Sequence, residues 1–304
     1  MNVHVVTVTR NQPTLLEHCV DSIRAAAPQT GITVAVAIVD NASGPRSAAQ
    51  ISDLRLPKHW TLVQLEHNVG YAAALNIGCK SLANVPSDYT VLINDDCIVP
   101  QNFFSALIDH AFHMGRPAII GFPIAESIEG QQQVLYGMRY WPLLSLATKV
   151  QTPEKARYWQ RPGQPLIYPC GAAIACRSDF LNAIGGVPTQ NFLYFEELNL
   201  LQSAYSSGEK TTLCDCIKIR HVGGASTSQL PQVRSRHYFS TLAALRFTLA
   251  HYPIWLPTVL VARIMATLLR MAKTLSITPA RSLALAITDF IKWPKSQKLH
   301  DQDQ

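Results

Sequence analysis

The sequence predicts an α/β fold built on a doubly wound, mostly parallel sheet, and three observations carry that reading. Val3–Thr9, Thr33–Val39, Leu62–Leu65, Tyr89–Ile93 and Ala118–Gly121 are short runs rich in β-branched residues, each of strand length. Helix-length segments lie between them. In Leu15–Ala27, for example, Leu15, Leu16, Cys19, Val20 and Ile23 follow a helical period behind the start signal Asn11-Gln12-Pro13. Strands alternating with helices imply parallel pairing through crossovers. In such open sheets ligands bind beyond the carboxyl ends of the strands, which is where Asn11, Asp40, Asn68 and Asp96 fall.

Composition narrows the class. The chain has 304 residues, of which 48% are apolar. That is ample for a large core and excludes a disordered protein. There are seven cysteines, an odd number, and the chain enters a strand without a basic stretch and long apolar run before it. A reduced, cytoplasmic setting is expected. Cys214 and Cys216 are one residue apart, the wrong gap for a zinc knuckle. In a strand running from Thr211 to Arg220 both would pack on one face as small hydrophobes. No dinucleotide-type glycine fingerprint, Walker loop or internal repeat occurs.

The formal charge of +6 is concentrated at the C-terminal end. Between residues 250 and 299, Arg263, Arg270, Lys273, Arg281, Lys292, Lys295 and Lys298 stand against the single acid Asp289. Pro253–Leu269 is almost wholly apolar but slightly short for a spanning helix, and Arg263 interrupts it. Arg263, Thr267, Arg270 and Thr274 form one polar stripe, with Val259, Leu260, Ile264, Leu268, Met271 and Leu275 filling much of the remainder. That pattern suits a helix lying in a membrane interface, and Trp255 and Trp293 add headgroup-favouring residues. The alternative is a helical hairpin packed on the catalytic domain or on a second copy in a homodimer. Without interleaved aromatics or a dense basic stripe, nucleic acid is not an expected partner.

Three motifs carry chemistry. Asn94-Asp95-Asp96 ends a buried strand, and a dry unpaired carboxylate there costs several kcal/mol. A hard cation such as Mg²⁺ or Mn²⁺ would satisfy it and neutralise a departing diphosphate. The competing reading has Asp95 or Asp96 capping a helix that starts near Pro100. Glu196 and Glu197 follow an aromatic cluster. Apolar surroundings raise a carboxyl pKa and suit a general base, and either of the two can face the acceptor while the other positions substrate or caps the helix. His221-Val-Gly-Gly-Ala-Ser offers an imidazole for a metal or phosphate beside glycines that admit close approach. Residues 125 to 168 read as a loop-rich insert, with Tyr136, Tyr140, Trp141, Tyr158 and Trp159 as aromatics for ligand stacking or for the core.

Taken in order, Val6-Thr-Val-Thr-Arg-Asn11, Ile38-Val-Asp-Asn-Ala-Ser43, Asn68-Val-Gly-Tyr-Ala-Ala-Ala-Leu-Asn76, Cys170-Gly-Ala-Ala-Ile-Ala-Cys-Arg177, Ile184-Gly-Gly, Asn191-Phe-Leu-Tyr-Phe-Glu-Glu197 and His221-Val-Gly-Gly-Ala-Ser resemble glycosyltransferase family 2. The resemblance covers about residues 3 to 253 and is strongest to the rhamnosyltransferase-like branch of bacterial surface polysaccharide assembly. It implies a GT-A fold over residues 1–250, in which residues 1–122 bind the nucleotide and residues 123–250 form the acceptor side, followed by a helical tail over 251–304. The donor would be a dTDP- or UDP-sugar, with Thr9, Asp40 and Asn68 near the nucleoside. Asn11, Asn94 and Asp95 complete the donor-binding set. Asp96 is then the metal-binding acid, His221 a further metal or diphosphate ligand and Glu197 the base, with Glu196 beside it. Direct displacement would invert the anomeric centre.

Several positions depart from the family pattern. Glu197 stands for the commoner Asp, Asn199 for a frequent second acid and Arg10 for an aromatic. The motif of processive synthases is missing, which implies addition of a single sugar. The expected acceptor is a saccharide or lipid-linked saccharide at the inner face of the cytoplasmic membrane. A catalytically silent nucleotide-sugar or glycan-binding scaffold is the alternative from another class.

Overall fold

The computed structural model describes residues 1–27, 31–128, 131–156, 166–222 and 233–300. Its first elements are β1 (Asn2–Thr9), α1 (Pro13–Ala26), β2 (Thr33–Asp40), α2 (Pro45–Ser52), β3 (Thr61–Gln64), α3 (Tyr71–Ser81), β4 (Tyr89–Asn94), β5 (Cys97–Ile98), α4 (Phe103–His113) and β6 (Ile119–Gly121). Next come β7 (Ile124–Ile128), β8 (Gln131–Leu135), β9 (Gly137–Trp141), β10 (Leu146–Val150), α5 (Pro153–Ala156), β11 (Ile167–Tyr168), β12 (Ala173–Arg177), α6 (Ser178–Ala183), α7 (Glu196–Ser206), β13 (Thr211–Leu213) and β14 (Ile219–His221). Three long helices follow, α8 (Arg236–His251), α9 (Leu256–Thr274) and α10 (Thr278–His300). The chain divides into two compact units. One holds Met1–Tyr140, Ala147–Thr189 and Glu196–Ser226, the other Trp141–Leu146, Gln190–Phe195 and Thr227–Gln304.

The first unit is built on a seven-stranded sheet in the order β13-β6-β12-β4-β1-β2-β3. β1 pairs in parallel with β2 and β4, β2 with β3, and β13 with β6, while β12 runs antiparallel to both its neighbours. The expected mostly parallel, doubly wound sheet is what forms. Its strands are apolar on both faces because both faces are covered. Val3 and Val5 pack with Leu16, Cys19, Val20 and Ile23 of α1 and with Phe103, Phe104 and Leu107 of α4. Val6 and Val8 face the other way, onto Ala72, Ala74 and Leu75 of α3 and Leu200 and Ala204 of α7. Each Val, Leu, Ile or Phe among them is worth roughly 1.5–3 kcal/mol of burial. Gly78 lets α3 sit directly on the sheet, since a Cβ there would lie 2.4 Å from Val6 Cγ1 and 3.0 Å from Val39 Cγ2.

Two expectations change here. Thr211 to Arg220 is not one strand. β13 ends at Leu213, and the chain turns through Cys214–Lys218 and resumes as β14 in a four-stranded sheet of order β5-β14-β7-β8. The switch between sheets breaks the alternation, so Cys214 is buried while Cys216 is exposed. The insert after residue 124 also holds more structure than a loop, supplying β7 to β10. Tyr140 is buried in it and Trp141 is exposed, whereas Tyr158 and Trp159 lie outside the described residues.

In the second unit Tyr238 and Leu242 of α8 bury Ala286 of α10, and the Tyr238 hydroxyl donates to Asp289 Oδ2 at 2.6 Å. The polar stripe of α9 turns partly inward. Thr267 is 2% exposed with its hydroxyl 2.7 Å from His237 Nε2, and the Arg263 guanidinium donates to the Ser145 carbonyl at 2.7 Å. Val261, Ile264, Met265, Leu268 and Leu269 are exposed instead. With its lead-in turn the helix runs Pro253–Thr274, 22 residues of mean hydropathy 1.5, long and apolar enough to cross a membrane.

Candidate active site

The carboxyl ends of β1, β2 and β4 lie side by side, with Thr9 paired to Asp40 and Val8 to Asn94. Local hydrogen bonds then shape the loops. Asn11, at φ 57°, takes the Ser43 hydroxyl as acceptor for its backbone N–H at 2.8 Å, and its side-chain oxygen accepts from the Gly44 N–H at 2.6 Å. Asp40 is buried and accepts from the Ser43 N–H at 3.0 Å. Asn68 accepts from the Gly70 N–H at 3.1 Å and from the Asn41 side chain at 3.0 Å. The four-residue run Asp40-Asn41-Ala42-Ser43 thus locks the loops after β1, β2 and β3 together. Asn41 and Ser43 belong to the motif quoted from the sequence but are not among its candidate site residues, and both tie the loops together here.

The acids after β4 sit deeper. Asp95 and Asp96 are both buried. Neither caps α4, which begins at Phe103 behind Asn102. Burial pushes the Asp95 carboxyl up to about 7, opposed by the neighbouring Thr9 hydroxyl, reinforced by the charge of Asp96 and opposed again by His221. The Asn94 side chain is engaged otherwise, accepting the Tyr71 hydroxyl at 2.7 Å. That phenol has a pKa well above its ordinary value, through burial first and then through Glu196, Cys97, Asp95 and Glu197. Tyr71 therefore stands between the acids after β4 and the acids opening α7.

β14 pairs antiparallel with β5, setting His221 opposite Cys97, and parallel with β7, setting it beside Glu126. The imidazole is held at both nitrogens: Nε2 is 3.1 Å from Asp96 Oδ1 and Nδ1 is 2.9 Å from Glu126 Oε1. Burial would lower its pKa, but its hydrogen bonds to the two carboxylates and their charges outweigh that and raise it. Protonated, the ring would supply positive charge where two acids converge. A divalent cation fits the same place: Asp96 offers a carboxylate oxygen and His221 Nε2 an imidazole nitrogen, with Nδ1 fixed by an outer carboxylate as in metal-binding histidines generally. Oxygen and nitrogen donors suit Mn²⁺ or Mg²⁺. Cys97 Sγ falls in the same cluster, but burial and the surrounding negative groups push its thiol well up. It donates to the Ala172 carbonyl at 3.3 Å, and a soft sulfur donor is a poorer match for Mn²⁺ or Mg²⁺ than the oxygen and nitrogen beside it. Glu126 lies in the insert whose sequence carried no signal for this role.

Glu196 is buried at the start of α7, while Glu197 remains partly exposed. The Glu197 carboxyl has a raised pKa because protein atoms crowd it and strip its water. Gly171 makes the room: a Cβ there would lie 3.3 Å from Glu197 Cδ and Oε2. The left-handed backbone of Tyr194 and Phe195, at φ 77° and 71°, turns the chain into the helix that bears both acids. Of the glycine-rich stretch after His221, Gly223 to Ser226 lie outside the described residues.

A doubly wound sheet whose strand ends carry interlocked polar loops, a buried acid pair and an imidazole facing acids is an architecture shared with GT-A glycosyltransferases of known structure. The chain belongs to glycosyl transferase family 2, whose family model matches residues 4–185. No curated protein sequence matches it. Among solved structures it is similar to TarS residues 1–349 of S. aureus in complex with UDP-GlcNAc, at 14% identity and TM-score 0.59 over 96% of this chain and 81% of that one. The mannosyltransferase PcManGT of Pyrobaculum calidifontis with GDP-Man and Mn²⁺ gives 16% identity and TM-score 0.53 over 95% and 86%. GalNAc-T7 with UDP, GalNAc and Mn²⁺ gives 14% and 0.57 over 81% and 51%. At such identities the likeness is one of fold.

Proposed function

We propose that the chain is an inverting, metal-dependent transferase that moves a single sugar, rhamnose or another hexose, from a dTDP- or UDP-sugar to a saccharide or lipid-linked saccharide in surface polysaccharide assembly. The observation that carries this reading is the imidazole of His221 held between Asp96 and Glu126 at 3.1 and 2.9 Å. Asp96 and His221 would hold the divalent ion, with Glu126 orienting the ring. Bound there, Mn²⁺ or Mg²⁺ would offset the charge of the departing diphosphate. Thr9, Asn11, Asp40 and Asn68 form the nucleotide side, with Asn94 and Asp95 toward the diphosphate.

Glu197 takes the proton of the acceptor hydroxyl on a carboxylate oxygen. Its partial exposure favours it over the buried Glu196, and its raised pKa suits proton acceptance. One displacement with the base on the acceptor side inverts the anomeric carbon. The C-terminal tail keeps the enzyme at the inner face of the cytoplasmic membrane. That is supported by the exposed apolar row Val261, Ile264, Met265, Leu268 and Leu269 and the exposed Arg270 and Lys273 beside it. The inward partners of Arg263 and Thr267 favour a helix lying in the interface over one crossing it.

The test is calorimetric titration of dTDP-, UDP- and GDP-sugars into the full chain with Mn²⁺ and again with EDTA. Metal-dependent binding of one dTDP- or UDP-sugar is expected. Metal-dependent binding of a GDP-sugar alone would overturn the donor assignment, and binding of none would favour the silent scaffold.

A further inference from the structure

We propose that Cys214 and Cys216 are a modification site, a dithiol pair that closes reversibly to a disulfide on reaction with a low-molecular-weight disulfide such as oxidised glutathione. Their sulfur atoms lie 3.3 Å apart, and a disulfide requires about 2.05 Å. The pair sits in the turn between β13 and β14, away from the rigid ladder. The ends of that turn are anchored, with the Cys214 N–H on the Gly121 carbonyl at 2.9 Å and the Ile219 N–H on the Pro123 carbonyl at 3.0 Å. Closure needs the sulfurs to approach by about 1.3 Å, a movement asked of the turn between its two anchored ends.

Accessibility divides the roles. Cys216 is the one exposed cysteine of the seven. Cys214 is buried, as are Cys19, Cys97, Cys170 and Cys176, and Cys79 is partly covered. An incoming disulfide therefore meets Cys216 first. The Cys216 thiolate attacks one glutathione sulfur, the glutathione S–S bond breaks, and one glutathione leaves as thiolate. Cys214 Sγ, giving its proton to solvent, then attacks Cys216 Sγ, and the second glutathione leaves. Two protein S–H bonds are lost and one S–S bond is gained, while glutathione disulfide takes up two electrons and two protons. Cys214's burial favours its thiol form, so the resolving step is the slower one, but the short sulfur distance makes it intramolecular.

The experiment uses the full chain in excess oxidised glutathione, followed by trypsin and mass spectrometry. Cleavage after Lys210 and Lys218 puts both cysteines on one peptide. The expected product is that peptide short of two hydrogens and restored by dithiothreitol. Cys214→Ser should instead accumulate a glutathione adduct on Cys216, and Cys216→Ser should leave Cys214 unreacted. A wild-type peptide that keeps glutathione on Cys216, or keeps both thiols reduced, overturns the proposal. The wild-type result stands by itself if the buried Cys214→Ser variant folds poorly.

Discussion

His221 Nδ1 lies 2.9 Å from Glu126 Oε1, so the ring that faces Asp96 is set by a residue from the adjoining strand β7 and not by its own loop. Glu126→Gln keeps the shape of that contact but removes its charge. Mn²⁺ affinity should fall by about 10–100-fold, the usual cost of losing a partner behind a metal-binding histidine. In metal-free protein the His221 pKa should fall with it. A Mn²⁺ titration and an imidazole NMR titration read the two effects, and an unchanged affinity would remove Glu126 from the site.

Glu197→Gln should lower turnover by about 10²–10⁴ while donor affinity holds, because it removes proton acceptance at constant size. In the wild type only the ionised carboxylate accepts a proton. Its raised pKa therefore places the acid limb of the rate profile above the ordinary glutamate range, with activity lost as pH falls through it. The same shift has the opposite sign for stability. A carboxyl whose folded pKa exceeds its unfolded value stabilises the fold at low pH and loses that contribution as pH rises through the folded pKa. Glu197→Gln should thus melt higher than wild type at pH 8 and about equally at pH 4. A lower melting temperature at pH 8 would contradict the burial argument.

Gly171→Ala tests the positioning of that base. A Cβ at Gly171 would meet Glu197 Cδ and Oε2 at 3.3 Å, forcing the carboxylate aside by a few tenths of an ångström. Misplacement of about 1 Å costs about 10²-fold in rate, so a smaller loss, on the order of tenfold in kcat, is expected with little change in melting temperature. Full activity would mean that Glu197 is not held there during turnover.

Gly78→Ala tests the fold itself. The added Cβ would stand 2.4 Å from Val6 Cγ1, and overpacking of this kind costs about 1–3 kcal/mol. Thermal unfolding should show that loss, and a neutral substitution would mean that α3 packs farther from the sheet.

Exposed Leu268 and Leu269 give the membrane reading its test. Replacing both with Asp should abolish sedimentation with anionic liposomes and leave donor binding intact, whereas unchanged sedimentation would remove the tail from membrane contact.

The sheet was legible because strands covered on both faces write uninterrupted apolar runs, as Val3 to Thr9 and Tyr89 to Ile93 do. The order of polar residues after them pointed to the site for the same reason, since a carboxylate such as Asp96 at the end of a buried strand needs a partner. Glu126 was not legible. It is brought to His221 by parallel pairing of β14 with β7, a long-range register that no local pattern announces. The break at Cys214 was hidden too, because Thr211 to Arg220 alternates well enough for one strand while its two halves join different sheets. On α9 the periodicity separated polar from apolar faces but not inside from outside. Arg263 and Thr267 find Ser145 and His237, and the apolar row is left exposed.

The most direct measurement is a Mn²⁺ titration of the wild type and of Asp96→Asn, followed by electron paramagnetic resonance with UDP or dTDP present. If Asp96 and His221 hold the ion, the variant loses more than about tenfold in affinity while its melting temperature stays near that of the wild type. Equal affinities in a folded variant would contradict the metal site on which the account rests.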